Sequence, residues 1–188
     1  MKLITEVALP DYPFRLDHKS PTLMMGSCFT ENIGLKLERY RFPVCINPFG
    51  VIYNPLSLKK GLEALIRKEA YRAEDLNLHN DLWFSFDHYT GFSSPDRDEA
   101  LENINNSFLR AKEVLKRAGV LILTWGTSWV YRYRQSGEVV CNCHKIPAKE
   151  FTRTQLSTRE IIAAYESFLP ELFEFNPALK IIHTISPV

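Results

Sequence analysis

With 188 residues, 45% of them hydrophobic and 24% charged, the chain has the size and composition of one globular domain with an ordinary core. Its formal net charge of +1 gives no electrostatic reason to expect nucleic acid or an anionic membrane as a partner. No stretch is apolar for long enough to span a bilayer, the N-terminus lacks the pattern of a secretory signal, and the four cysteines are not spaced as a disulfide framework. We therefore expect a cytoplasmic protein.

Strand and helix patterns alternate along the chain. Four short, nearly continuous apolar runs predict strands buried on both faces of a parallel sheet, at residues 22–25, 44–46, 120–124 and 180–185. Amphipathic patterns between them predict helices that cover residues 31–41, begin after Asn54, begin after Asp96, and begin after Ser157. Pro170 is expected to end or kink the last helix.

This alternation predicts the fold class. We expect a doubly wound, mainly parallel three-layer α/β/α sheet of the flavodoxin-like type. The alternating residues on either side of Ser136 and Gly137 predict an inserted β-hairpin. The last predicted strand would leave a bare sheet edge, which association into a homo-oligomer could cover.

A serine and a cysteine stand side by side where the first strand gives way to the first helix. In open α/β sheets chemistry takes place at this edge, where backbone N–H groups of the turn can stabilise an oxyanion. Ser27, after Gly26, is therefore a candidate nucleophile, although a serine at this point is also a common helix N-cap. Cys28 is either a small hydrophobic residue or an alternative thiol nucleophile.

Five motifs support the first of these interpretations of Ser27. In chain order they are GSCFTENIG, NPFGVIYNP, TWGTSWVY, NCHKIP with Phe151 after it, and TISPV. Together they resemble the GSCFA-domain family of the SGNH/GDSL-like hydrolase group, and the resemblance extends from about residue 22 to residue 188. The chain departs from the family name at Thr30, which stands in place of the alanine.

The resemblance implies a single SGNH-like domain over residues 1–188 that hydrolyses an acyl or acetyl ester through Ser27. It places Gly50 and Asn54 in the loop that supplies a second oxyanion donor. It also places Gly126 and Thr127 where relatives carry a Gly-x-Asn-Asp element, and here Thr127 and Ser128 replace the asparagine that would donate to the oxyanion. The implied substrate is a small-molecule or carbohydrate ester, and no cofactor is implied.

His144 is the candidate base that the resemblance offers within the fourth motif. Asn142 and Lys145 flank it and are candidates for orienting a substrate, whereas a binding or packing role for His144 is the alternative. A zinc site that uses Cys141, Cys143 and His144 is disfavoured, because on a strand the two cysteines would face away from the histidine. We therefore expect no metal.

The end of the chain raises a second functional hypothesis. The family carries an Asp-x-x-His-Pro element beyond the last motif, and the 188 residues contain no such element. A serine hydroxyl needs an adjacent base to become a nucleophile. We therefore expect a domain truncated at its C-terminus, and the alternative to an ester hydrolase is a non-catalytic binding or scaffold module with the same fold.

Overall fold

The computed structural model describes residues 11–185. In chain order the strands and α-helices are β1 (Thr22–Gly26), α1 (Cys28–Arg39), β2 (Val44–Ile46), α2 (Pro55–Arg67), β3 (Asn77–His79), β4 (Leu82–Phe84), α3 (Arg97–Arg117), β5 (Val120–Trp125), β6 (Trp129–Tyr133), β7 (Val139–Val140), β8 (Phe151–Gln155), α4 (Thr158–Phe175) and β9 (Lys180–Ile185). Three sheets result: a four-stranded sheet in the order β2-β1-β5-β9, the two-stranded β3-β4 sheet, and a three-stranded sheet in the order β7-β6-β8.

The four-stranded sheet is parallel throughout and is covered on both faces. Leu23 and Met25 of β1 pack into the large core that α2, α3 and α4 complete on one face. Met24, which points the opposite way, packs with Ile33 and Leu37 of α1 on the other face. The predicted α/β class with a mainly parallel sheet between helical layers is confirmed.

Local capping signals place three of the helices. The side chains of Asn54, Asp96 and Ser157 each accept a backbone N–H at the start of α2, α3 and α4, as the sequence predicts. Helix α1 begins at Cys28, three residues before the predicted start, because Ser27 caps it. Such caps are worth about 1 kcal/mol each.

Of the two outcomes predicted for Pro170, an end or a kink, the first is wrong, since α4 continues to Phe175. Phe168 and Leu172 lie on either side of the proline and are both buried, so core packing holds the helix together where its hydrogen bonding is interrupted.

The predicted hairpin is present as β6 and β7, which pair antiparallel around the turn at Ser136 and Gly137. Strand β8 adds to it as a third strand that the sequence analysis did not anticipate. Strand β7 ends at Val140, so Cys141 and Cys143 lie beyond it. The prediction that these two cysteines face away from His144 assumed a strand and does not apply to them.

The fold gathers the ends of the parallel strands on one edge. Ser27 follows β1, Asn47 follows β2, and Gly126 follows β5, so three loops meet at the carboxyl edge of the sheet. Strand β9 pairs only with β5 among the described residues, and Lys180, His183 and Ile185 on it are exposed. Among the helices of residues 11–185, none has the length and apolarity that a membrane crossing requires.

Candidate active site

Ser27 lies at the centre of the carboxyl edge, between the end of β1 and the first turn of α1. Its Oγ accepts the backbone N–H of Phe29 at 3.3 Å, so the side chain is the N-cap of α1. The residue is only 4% exposed. Ser27 therefore fits both interpretations of the sequence. It is the N-cap of a helix, and it also lies at the edge of the sheet where α/β enzymes carry out chemistry.

Gly26 allows the chain to turn at this point. Its φ of +153° belongs to a region that side chains rarely adopt, and a Cβ built on it would lie 2.6 Å from the carbonyl oxygen of Thr124. The neighbouring strand β5 thus approaches the turn so closely that only glycine fits.

The loop after β5 contacts Ser27 directly. A Cβ built on Gly126 would lie 3.4 Å from Cβ of Ser27 and 3.0 Å from Cδ1 of Tyr53. The backbone N–H groups of Gly126 and Thr127 donate to the carbonyl oxygen of Tyr53, at 2.8 and 3.1 Å. Ser27, Tyr53 and the loop after β5 therefore form one packed unit.

The groups predicted as oxyanion donors already donate hydrogen bonds within the protein. Besides Gly126 and Thr127, Gly50 donates its N–H to the carbonyl oxygen of Asn47 at 2.7 Å, in a turn that it enters with φ +78°. Asn54 caps α2: its Oδ1 accepts the N–H of Ser57 at 2.8 Å and its Nδ2 donates to the Ser57 hydroxyl at 2.9 Å. These groups shape the edge of the sheet in this structure.

His144 lies in a different place from Ser27. Its ring stacks on Phe84 with the centroids 4.2 Å apart, and its Nε2 donates to the carbonyl oxygen of Ser85 at 3.0 Å. Within residues 11–185, no hydrogen bond joins Ser27 to His144. The predicted pairing of nucleophile and base is therefore not formed.

The residues that flank His144 shape its loop. Asn142 accepts the backbone N–H of His144 at 2.8 Å and so supports a left-handed turn, in which His144 has φ +48° and Lys145 has φ +60°. Burial lowers the pKa of His144 to about 4, although the backbone carbonyls of Ser85 and His88 act in the opposite direction. At neutral pH the ring is therefore uncharged, and because its Nε2 carries the proton, Nδ1 holds the lone pair.

Asn47 is a site residue that the sequence analysis did not single out. Its Oδ1 accepts the N–H of Gly26 at 2.9 Å, while its Nδ2 is buried without a hydrogen-bond partner among the described residues. Its φ of +43° is left-handed. An amide donor with no partner at the carboxyl edge is a candidate for binding a carbonyl oxygen or an oxyanion. The signal was present in the NPFG motif, where an asparagine precedes a proline directly after a strand.

Two cavities flank the Ser27 turn. The α1–α3 cleft has a volume of about 960 Å³ and lies along the outer edge of β2 between α1 and α3. Its walls include Cys28, Glu31, Asn47, Tyr53, Asn106 and Arg110. The Trp125 pocket, of about 310 Å³, lies on the other side, between the loop after β5 and the start of α4. Its walls include Pro55, Trp125, Gly126, Ile161 and Ile162.

Cys28, the residue after Ser27, lines the larger cavity. Cys28 is exposed, whereas Cys45 is buried. Partial burial, together with the nearby thiol of Cys28, raises the pKa of the Tyr53 hydroxyl. No group of three or more His, Cys, Asp or Glu side chains within residues 11–185 is arranged to hold a metal ion.

These features define an α/β protein whose candidate site is a helix-capping serine at the carboxyl edge of a parallel sheet, with a cavity on each side. The chain belongs to the GSCFA family, whose model matches residues 21–188. Comparison with curated proteins and with solved structures gave no significant match.

Proposed function

We propose that this protein is an SGNH-like serine hydrolase that acts on an acyl or acetyl ester, with Ser27 as the nucleophile. The observation that carries the proposal is the position of Ser27, at the end of a central parallel strand and the start of a helix, next to Cys28, which lines one cavity, and Gly126, which lines the other. At a helix start the macrodipole and unpaired N–H groups favour the negative charge of a tetrahedral intermediate.

The proposed reaction has two steps. The Oγ of Ser27 attacks the ester carbonyl carbon, and the alcohol leaves with the proton of the serine hydroxyl. Water then attacks the acyl-serine ester, which releases the carboxylic acid and restores the hydroxyl. Asn47 is placed to donate its unpartnered Nδ2 to the carbonyl oxygen, because it is hydrogen-bonded to Gly26, the residue before the nucleophile. His144 has no role in this proposal, since no hydrogen bond joins it to Ser27 among the described residues.

One observation favours a second candidate, a binding module that keeps the fold without catalysis. Among the described residues no imidazole or carboxylate forms a hydrogen bond with the Ser27 hydroxyl, which instead accepts the N–H of Phe29. A serine without a base is a weak nucleophile. In this case the two cavities would still bind a ligand.

Labelling with a fluorophosphonate and mapping the modified peptide decides between the two candidates. A hydrolase is expected to carry the adduct on Ser27 and to lose it in Ser27→Ala. Ser157→Ala is the matched control, because Ser157 also caps a helix with its Oγ 3.3 Å from a backbone nitrogen, but does so at the start of α4. An adduct that persists in Ser27→Ala, or a folded wild-type protein that remains unlabelled, would contradict the hydrolase and leave the binding module.

A further inference from the structure

The Trp125 pocket differs in character from the cleft on the other side of Ser27. Trp125, Ile161 and Ile162, with Pro55 and Ile185, give it mainly apolar walls. Hydroxyl groups are supplied by Thr127, Ser128 and Thr158, and among residues 11–185 no charged side chain lines the pocket. Such a pocket favours an apolar group over a sugar or a phosphate.

The α1–α3 cleft is the more polar of the two cavities, although apolar residues such as Leu35, Val44 and Ile46 also line it. Carboxylates of Glu31 and Glu38 and the guanidinium of Arg110 lie along it, with the amides of Asn103 and Asn106. These groups offer hydrogen bonds of both kinds, as a hydroxyl-rich or charged ligand requires. The two cavities are therefore suited to different halves of one molecule.

The neighbours of Ser27 reach both cavities. Gly126 lines the Trp125 pocket and stands against Cβ of Ser27, whereas Cys28, the next residue in the chain, lines the cleft. An ester whose carbonyl carbon sits at Ser27 would extend one of its two groups past Gly126 and the other past Cys28.

We infer that the Trp125 pocket binds the acyl group of the ester and that the substrates are esters of a polar alcohol with an apolar acyl chain longer than acetyl. This inference rests on the hydrolase proposed above. At roughly 30 Å³ for each water-sized group, the pocket has room for about ten such groups, so a hexanoyl chain fits within it and an acetyl group would leave most of it empty.

The test measures kcat/KM for p-nitrophenyl acetate, butanoate and hexanoate. Each buried methylene contributes about fourfold, so hexanoate is expected to exceed acetate by at least tenfold. Ile162→Arg, at a half-exposed position of the pocket wall, is expected to reduce the hexanoate rate about tenfold and to reduce the acetate rate much less. Phe173→Arg is the matched control on the same helix, at an exposed position outside the pocket, and is expected to change neither rate.

Equal rates for acetate and hexanoate, or an Ile162→Arg variant that slows both equally, would overturn the inference. If Ser27 proves inert, the hydrolase fails, and the pocket is tested on its own by quenching of Trp125 fluorescence with sodium hexanoate and sodium acetate. Quenching by hexanoate alone, lost in Trp125→Phe and Ile162→Arg, supports the apolar pocket without the reaction. Absence of quenching overturns it.

Discussion

The side-chain oxygen of Asn47 accepts the backbone N–H of Gly26 at 2.9 Å and thereby fastens the end of β2 to the residue before Ser27. The two residues are far apart in the chain and meet only because β1 and β2 are neighbours in the sheet. The hydrogen bond thus fixes the position of the Ser27 turn relative to the α1–α3 cleft.

Replacing Asn47 is expected to destabilise the fold in two separable ways. Asn47→Gly leaves the N–H of Gly26 without its acceptor and should reduce the free energy of unfolding by about 1–3 kcal/mol. Asn47→Ala should cost about 1 kcal/mol more, because alanine is strained at the φ of +43° that Asn47 adopts. Urea denaturation of both variants measures these effects. Equal stabilities for the two variants would show that the strain does not contribute.

Gly26→Ala is expected to be among the most damaging small substitutions in the chain. The new Cβ would meet the backbone of Thr124 at 2.6 Å and would also be strained at φ +153°. We expect a loss of about 3 kcal/mol or more. Gly137→Ala is the matched control: φ is +72° and no described residue lies within 4 Å of the new Cβ, so only strain of about 1 kcal/mol should remain. Thermal denaturation of the two variants should rank them in this order.

His88 should make the fold sensitive to acid. It is fully buried among the rings of Phe49, Tyr71 and Phe92, and neither ring nitrogen has a hydrogen-bond partner among the described residues. Burial lowers its pKa from 6.5 to about 4, and the opposing effect of the Asp87 carboxylate is smaller. His88 therefore takes up a proton near pH 6.5 in the unfolded chain but only near pH 4 in the folded one. The contribution of this residue to the free energy of unfolding is fully present above pH 6.5, and about 3 kcal/mol of it is lost as the pH decreases toward 4.

His88→Phe tests this dependence, since it keeps the aromatic packing and removes the titrating group. The variant should lose less stability than the wild type between pH 7 and pH 4, with a difference of about 3 kcal/mol. The measurement is the free energy of unfolding in urea at both pH values. Parallel pH profiles for the two proteins would show that His88 does not cause the acid sensitivity.

Cys28 is expected to be the first of the four cysteines to react with iodoacetamide. It is exposed at the first position of α1, whereas burial raises the pKa of Cys45, of Cys143 and, to about 12, of Cys141. A thiol reacts through its thiolate, so these three should respond slowly. Peptide mapping after brief labelling identifies the site, and Cys28→Ser should remove the fast phase. Faster labelling of Cys143 would contradict the prediction.

Sequence patterns predicted the buried strands and the helix starts, which depend on residues close together in the chain. The apolar runs placed four parallel strands, and Asn54, Asp96 and Ser157 placed three helix starts, because a buried strand and a capped helix each leave a short-range pattern. Strand β8, mostly exposed and polar, and the three-residue strands β3 and β4 give too little pattern to detect.

The arrangement of the site depends on contacts that no local pattern contains. The position of Ser27 followed from a strand, a glycine and a helix start in sequence. The bond from Gly26 to Asn47 and the approach of Gly126 to Ser27 arise from sheet order and loop packing. For the same reason His144 could be proposed as a base from its motif, although the β3-β4 sheet holds its ring against Phe84 and Ser85.

The Tyr53 carbonyl, which accepts the N–H groups of both Gly126 and Thr127, has a consequence for how ligands bind. Tyr53 lines the α1–α3 cleft and Gly126 lines the Trp125 pocket, so the same two hydrogen bonds belong to the walls of both cavities. A compound that moves the backbone of Tyr53 in one cavity also shifts the loop after β5, which is hydrogen-bonded to it, in the other. Occupancy of the two cavities is therefore expected to be cooperative, with each ligand changing the affinity for the other by the same factor.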